Sequence, residues 1–115
     1  MTGLEKAKFI AKVLDDKKAD EVTVLHVAKN SSVWEYFVIG SGTSNTHIKA
    51  LANEIEEKME KEKEERPLHI EGYASAEWVL LDYNDVNVNV FQKDSRMFYS
   101  LERLWQDAEK IEWND

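Results

Sequence analysis

The run Tyr36-Phe37-Val38-Ile39 constrains the fold more than any other stretch of this chain. Successive side chains of a β-strand point to opposite faces of its sheet, so four large apolar residues in a row demand cover on both sides. The strand, read from Trp34 to Gly40, is therefore an interior one. It leads through Gly40-Ser41-Gly42-Thr43-Ser44-Asn45 into a stretch from about Thr46 to Lys63 whose apolar residues Ile48, Leu51, Ala52, Ile55 and Met59 recur at helical spacing. The outer face of that helix carries Glu54/Lys58 and Glu57/Lys61 in the favourable i,i+4 order, which reads as a solvated surface.

The remaining elements follow from the same periodicities. Leu4, Ala7, Ile10, Ala11 and Leu14 place an amphipathic helix over Leu4 to Asp16, and the β-branched run Val22 to Val27 reads as a strand. Pro67 ends the long helix and launches a short strand at Leu68-His69-Ile70. Glu77 to Tyr83 and Val86 to Phe91 form a hairpin about Asn84-Asp85, and Ser95 to about Glu109 is a helix with Met97, Leu101, Leu104 and Ala108 on its buried stripe and Trp105 beside it. The order αββαβββα implies a two-layer α/β (α+β) fold, a mixed five-stranded sheet with helices mainly on one face. One domain spans residues 1–109, and 110–115, containing Trp113, reads as a frayed tail.

Strand parity makes the hairpin informative. With a two-residue turn, Val79 and Leu81 share a face with Val86, Val88 and Val90, the natural side to press on the helices. The other face then carries Trp78, Leu80 and Asp82 on one strand and Asn87, Asn89 and Phe91 on its partner. Large aromatics among neutral polar groups resemble the centre of a protein interface. The alternative is internal packing, with the C-terminal helix folding over this face through Phe98 or Tyr99. A three-residue turn would exchange the two faces.

Composition narrows the function. A net charge of -8 over 115 residues makes bare phosphate backbone a poor partner and a basic protein a good one. Cysteine is absent, which excludes disulfides, thiolate catalysis and Cys-based zinc sites. There is no apolar stretch of signal-peptide or membrane-spanning length, so the expected location is cytoplasmic, with no membrane partner. The Gly40–Ser44 turn admits an anion cradle or a Ser44 or Asn45 helix cap; it has neither the P-loop lysine nor the dinucleotide-binding glycine spacing. Asp82 and Asp85 flank the hairpin turn, either as turn residues or as carboxylates for Mg²⁺. His26, His47 and His69 fall on separate elements with no metal-ligand spacing, so no metal, cofactor or catalytic residue is assigned.

Four blocks carry a resemblance. Val33-Trp34-Glu35-Tyr36-Phe37-Val38-Ile39-Gly40-Ser41-Gly42-Thr43-Ser44 resembles the "DYFVIATGTS" passage of the ribosomal silencing factor (Iojap-related) family, and His47 to Ala52 looks like the helix that follows it there. Glu71-Gly72-Tyr73 through Glu77-Trp78-Val79-Leu80-Leu81-Asp82-Tyr83 is similar to its "EGY…EWVLLDYGDVVVHVF" stretch, and Phe98 to Trp105 to its closing "FYDLERLW". The blocks run in family order from roughly Leu4 to Trp105. Asn84 stands where the family has a turn glycine, and Asn89 where it commonly has a histidine.

The resemblance implies a non-enzymatic binder with a nucleotidyltransferase-like fold lacking the catalytic carboxylates; no Asp-x-Asp follows the Gly40-Ser41 turn here. It implies docking on the large ribosomal subunit through that subunit's protein number fourteen, which obstructs joining of the small subunit and represses translation. A role in large-subunit biogenesis is the neighbouring alternative, and a divergent nucleotidyltransferase-like enzyme the distant one. The docking residues expected are Trp78, Leu80, Asp82, Asn89, Phe91 and Tyr99. Pairing of the same face into a homodimer is compatible with this; sequence-specific contact with nucleic acid is not expected.

Overall fold

The computed structural model describes residues 1–27, 34–94 and 108–114. Helix α1 spans Gly3–Asp16 and opens on a capping box: the Thr2 hydroxyl accepts from the Glu5 amide, and the Glu5 carboxylate accepts from the Thr2 amide. Strands β1 (Asp20–His26) and β2 (Tyr36–Gly42) follow, then α2 (Asn45–Lys63), β3 (His69–Glu71), β4 (Trp78–Asp82), β5 (Val86–Gln92) and β6 (Glu109–Ile111). The sheet runs in the order β3-β4-β5-β2-β1-β6. Only β2 and β5 pair in parallel; the other four pairings are antiparallel. The two-layer α+β class and the mixed sheet are as expected, with β2 and β5 in the middle.

Both helices lie on one face. Ala7, Ile10, Leu14, Ile48, Leu51, Ile55 and Met59 meet Val24, Val38, Val79, Leu81, Val86, Val88 and Val90 there, in a single buried cluster. Each of the larger side chains here, from valine up, contributes about 1.5–3 kcal/mol when fully withdrawn from water. The hairpin turn has two residues, since Asp82 pairs with Asn87 and the Tyr83 amide donates to the Val86 carbonyl. That register puts the all-aliphatic set on the helix side, as parity predicts. Asn84 supplies the left-handed backbone, with φ at 77°, in place of glycine.

Among the described residues the sheet has six strands, where the sequence reading has five. Glu109–Ile111 pairs antiparallel with β1, so Glu109, expected as the end of a C-terminal helix, opens a strand instead. Nor are residues 110–114 a frayed tail: Trp113 packs against the main core, and its indole N–H donates to the Val22 carbonyl at 3.3 Å. A three-residue Glu-Lys-Ile strand carries no alternation of its own; only its long-range partner β1 makes it one. Residues 95–107, where the last helix was expected with Met97, Tyr99, Leu101, Leu104 and Trp105, lie outside the described residues.

Candidate functional site

On the sheet face away from the helices, Leu25, Val27, Ile39 and Phe91 form a second buried cluster, with Phe37, Trp78 and Ala108 packed partly exposed against it. Trp78 and Phe91 are cross-strand partners with ring centroids 4.9 Å apart. Phe91 is fully buried, and Asn89 and Asn87 are 3% and 1% exposed. Trp78, Leu80 and Asp82 on β4 are half-buried. Of the expected docking set, β4 thus presents three side chains toward solvent, and β5 supports them from beneath with Asn89 and Phe91. Tyr99 lies outside the described residues.

Several contacts hold this edge in place. The Trp78 indole N–H donates to Asn89 Oδ1 at 2.9 Å, and Asn89 Nδ2 donates to Asn87 Oδ1. Further along the face, the Trp34 indole N–H donates to Asp82 Oδ1 at 3.3 Å, while its ring stands edge-on to Phe37 with centroids 5.8 Å apart. Trp34 was read only as the start of a strand; its place beside Asp82 follows from register across three strands, β2, β5 and β4, which local pattern does not reveal. Gly72 is a second residue that sequence reasoning passed over. Its φ is +79°, and a Cβ there would collide with the Trp78 carbonyl oxygen, so only glycine lets the β3–β4 connection pass so close. Beside it lies a hollow of about 290 Å³ lined by Glu71, Gly72, Trp78 and Leu80.

The helix-side end of the hairpin is fixed by a buried cation. Lys6, 5% exposed, sends its Nζ to the Tyr83 carbonyl at 3.0 Å, to Asp85 Oδ1 at 2.8 Å and to Glu65 Oε1 at 2.8 Å. Burial by itself would lower its pKa, but the hydrogen bonds and charges of Asp85 and Glu65 outweigh that and hold it above the usual lysine value. The Asp85 carbonyl accepts from both the Glu35 and Tyr36 amides, tying the turn to the start of β2. Lys6 sits on the buried stripe of α1 with Gly3, Ile10 and Val13.

The chemistry-bearing alternatives fare differently. At the Gly40–Ser44 turn the Ser44 hydroxyl accepts from the His47 amide, and the Thr43 amide donates to His47 Nδ1 at 3.1 Å. His47 Nε2 donates in turn to the Lys17 carbonyl at 2.9 Å. Those amides serve a helix cap with Ser44 as its N-cap, the second of the two readings, and an anion would have to displace the imidazole. Asp82 accepts from Trp34 and from the Asn84 amide on the open face, whereas Asp85 turns to Lys6 under α1. The two aspartates do not converge. His26 stacks on Tyr36 with centroids 4.9 Å apart, and His69 pairs with Glu71 at 2.8 Å. Among the described residues no three His, Cys, Asp or Glu side chains group as metal ligands.

A family model described as "Ribosomal silencing factor during starvation" matches residues 2–115. The chain belongs to this family. The ribosomal silencing factor RsfS of Halalkalibacterium halodurans is 38% identical over 112 residues, covering 97% of this chain and 95% of that protein. A Mus musculus protein named Mitochondrial assembly of ribosomal large subunit protein 1 is 30% identical over 105 residues, 86% of this chain and 46% of that one. A crystal structure of a Chromobacterium violaceum protein superposes with a TM-score of 0.87 at 33% identity, covering 100% of this chain and 94% of that chain. Ribosomal silencing factor family membership therefore rests on nearly the whole length of the fold.

Proposed function

We propose that this protein silences translation by binding the large ribosomal subunit, through that subunit's protein number fourteen, and keeping the small subunit from joining. One observation carries the reading: a half-exposed edge of Trp78, Leu80 and Asp82 rests on a buried floor of Asn89 and Phe91, on a body of net charge -8. An aromatic anchor fixed by a hydrogen bond loses little rotamer freedom on binding, and an acidic body speeds encounter with a basic ribosomal protein. Tyr99 completes the expected set from outside the described residues. Blocking of this kind requires overlap with the other subunit and no chemistry, so the protein acts without a catalytic residue or cofactor.

The name of the mouse relative favours one neighbouring reading, a part in assembly of the large subunit; the same contact would serve both. Among the described residues no helix is long and apolar enough to cross a membrane, and the proposed site of action is the cytoplasm. When no subunit is available, the same face would serve self-association into a homodimer.

The test is density-gradient sedimentation with separated ribosomal subunits, using wild type and Trp78→Ala. Co-sedimentation with large subunits alone, with fewer joined ribosomes, is expected for wild type. Trp78→Ala should lose at least ~2 kcal/mol of binding, about thirtyfold, as interface anchors do, while keeping a cooperative thermal melt. A folded Trp78→Ala protein that binds normally would move the interface elsewhere, and undiminished joining with wild type would end the silencing reading.

A further inference from the structure

The polar floor beneath Trp78 has a direction, and that direction follows from donor chemistry alone. An indole N–H can only donate, so Asn89 must present its oxygen to Trp78. Its Nδ2 is then left to face Asn87, which must answer with Oδ1. The line ends on Asn87 Nδ2, a buried donor without a hydrogen-bond partner. Turning Asn87 over would oppose two donors and break the line. On the neighbouring strand Asn87 is paired directly with Asp82, on the same face, and the Asp82 carboxylate already holds the Trp34 indole. No hydrogen bond joins the two side chains, and Asn87 Nδ2 stays unpartnered.

A buried amide donor left over costs about 1–3 kcal/mol. It is retained here at the inner end of a line that starts from the half-buried Trp78. We infer that Asn89 and Asn87 are positioning residues of the docking face: they form an amide relay, its polarity set by Trp78, that holds this indole in one orientation and presents it to the partner preorganised. The inference rests on the docking reading above and adds Asn87 to its machinery. Neither asparagine is exposed enough to touch a partner, so each acts through an indole. Preorganisation of this kind lowers the ordering cost of association and shows mainly in the dissociation rate.

The test uses the full-length protein with Asn89→Leu, a near-isosteric change that removes the acceptor for the indole. In ¹⁵N-labelled free protein the Trp78 indole proton, assigned by its loss in Trp78→Phe, should exchange with solvent slowly in wild type and at least about tenfold faster in Asn89→Leu. Large-subunit affinity should fall about five- to tenfold, the size of one neutral hydrogen bond, with the loss in the off-rate, and the melting temperature should also fall because Asn87 Oδ1 is left buried without its donor. Asn89→Asp, which restores an acceptor oxygen, should recover most of the affinity. Because Trp78→Phe has no donor left to orient, adding Asn89→Leu to it should cost no further affinity, whereas purely structural damage would add in full. Fast indole exchange in wild type, or equal affinity for Asn89→Leu, would overturn the relay. Slow exchange in a wild-type protein that fails to bind large subunits would instead sink the docking reading, and the positioning role with it.

Discussion

Replacing Lys6 by Met tests how the hairpin is locked to the helices. Methionine fills the space of the lysine stem but removes the ammonium that bonds the Tyr83 carbonyl, Asp85 and Glu65. Breaking a fully buried ion pair costs about 3–5 kcal/mol, but Asp85 and Glu65 keep 34% and 31% side-chain exposure and regain water. Their share is correspondingly small. The Tyr83 carbonyl is buried with its residue, and leaving it unbonded costs about 1–3 kcal/mol. Together the change should destabilise by roughly 2–4 kcal/mol, or ~10 °C in melting temperature for a domain near this size. Urea denaturation of wild type and Lys6→Met, monitored by circular dichroism, gives the difference directly. The pH dependence sharpens it. The folded-state pKa of Lys6 is raised, so its contribution is complete below the unfolded lysine value and fades as pH climbs through the folded one. The gap between the two proteins should hold at pH 7 and narrow above about pH 10.5. A gap below about 0.5 kcal/mol at pH 7, within the range of an ordinary surface change, would refute the argument.

The Tyr83 hydroxyl is buried without a hydrogen-bond partner, and burial first, then the charges of Glu56 and Glu65, push its pKa far up. Tyr83→Phe should therefore leave stability unchanged or raise it by up to about 1 kcal/mol, as read from urea midpoints. Stability from the neutral phenol is lost as pH rises past the unfolded tyrosine value, so the Phe variant should tolerate alkaline pH better. At the hairpin turn, Asn84→Val forces a β-branched residue to φ near 77° and should cost about 1–2 kcal/mol, whereas Asn84→Gly should be neutral or stabilising. Equal melting temperatures for those two variants would mean that the turn relaxes.

The parts of the fold legible in the sequence were those that a single element decides. Ile48, Leu51, Ile55 and Met59 mark one side of a helix whatever it packs on, and Val79, Leu81, Val86, Val88 and Val90 mark one side of a hairpin once its turn has two residues. The α2 pair Glu57–Lys61 forms at 3.0 Å as its spacing implies, but Glu54 turns to Lys17 on the neighbouring helix end and Lys58 to Glu62. Local spacing makes a pair available; tertiary neighbours decide whether it is used. Strand β6 shows the limit of the method. Glu109-Lys110-Ile111 becomes a strand only because β1 offers an open edge.

The candidate site divides in the same way. Parity alone assembled Trp78, Leu80, Asp82, Asn89 and Phe91 on one face, because all five lie on two strands joined by one short turn. It could not separate the half-exposed three from the buried two, since depth depends on what lies beside β5, and β5 pairs with β2 some fifty residues earlier. Trp34 and Lys6 were out of reach for the same physical reason: each acquires its role across a separation of 48 residues or more. An aromatic near a strand start and a lysine on an amphipathic helix have ordinary local explanations, so neither looks out of place until the chain is closed. Yet these two residues hold the hairpin from opposite sides, Trp34 through Asp82 and Lys6 through Asp85. The presenting edge is thus read from local pattern, whereas the rigidity that makes it useful for binding comes from contacts that only the whole fold creates.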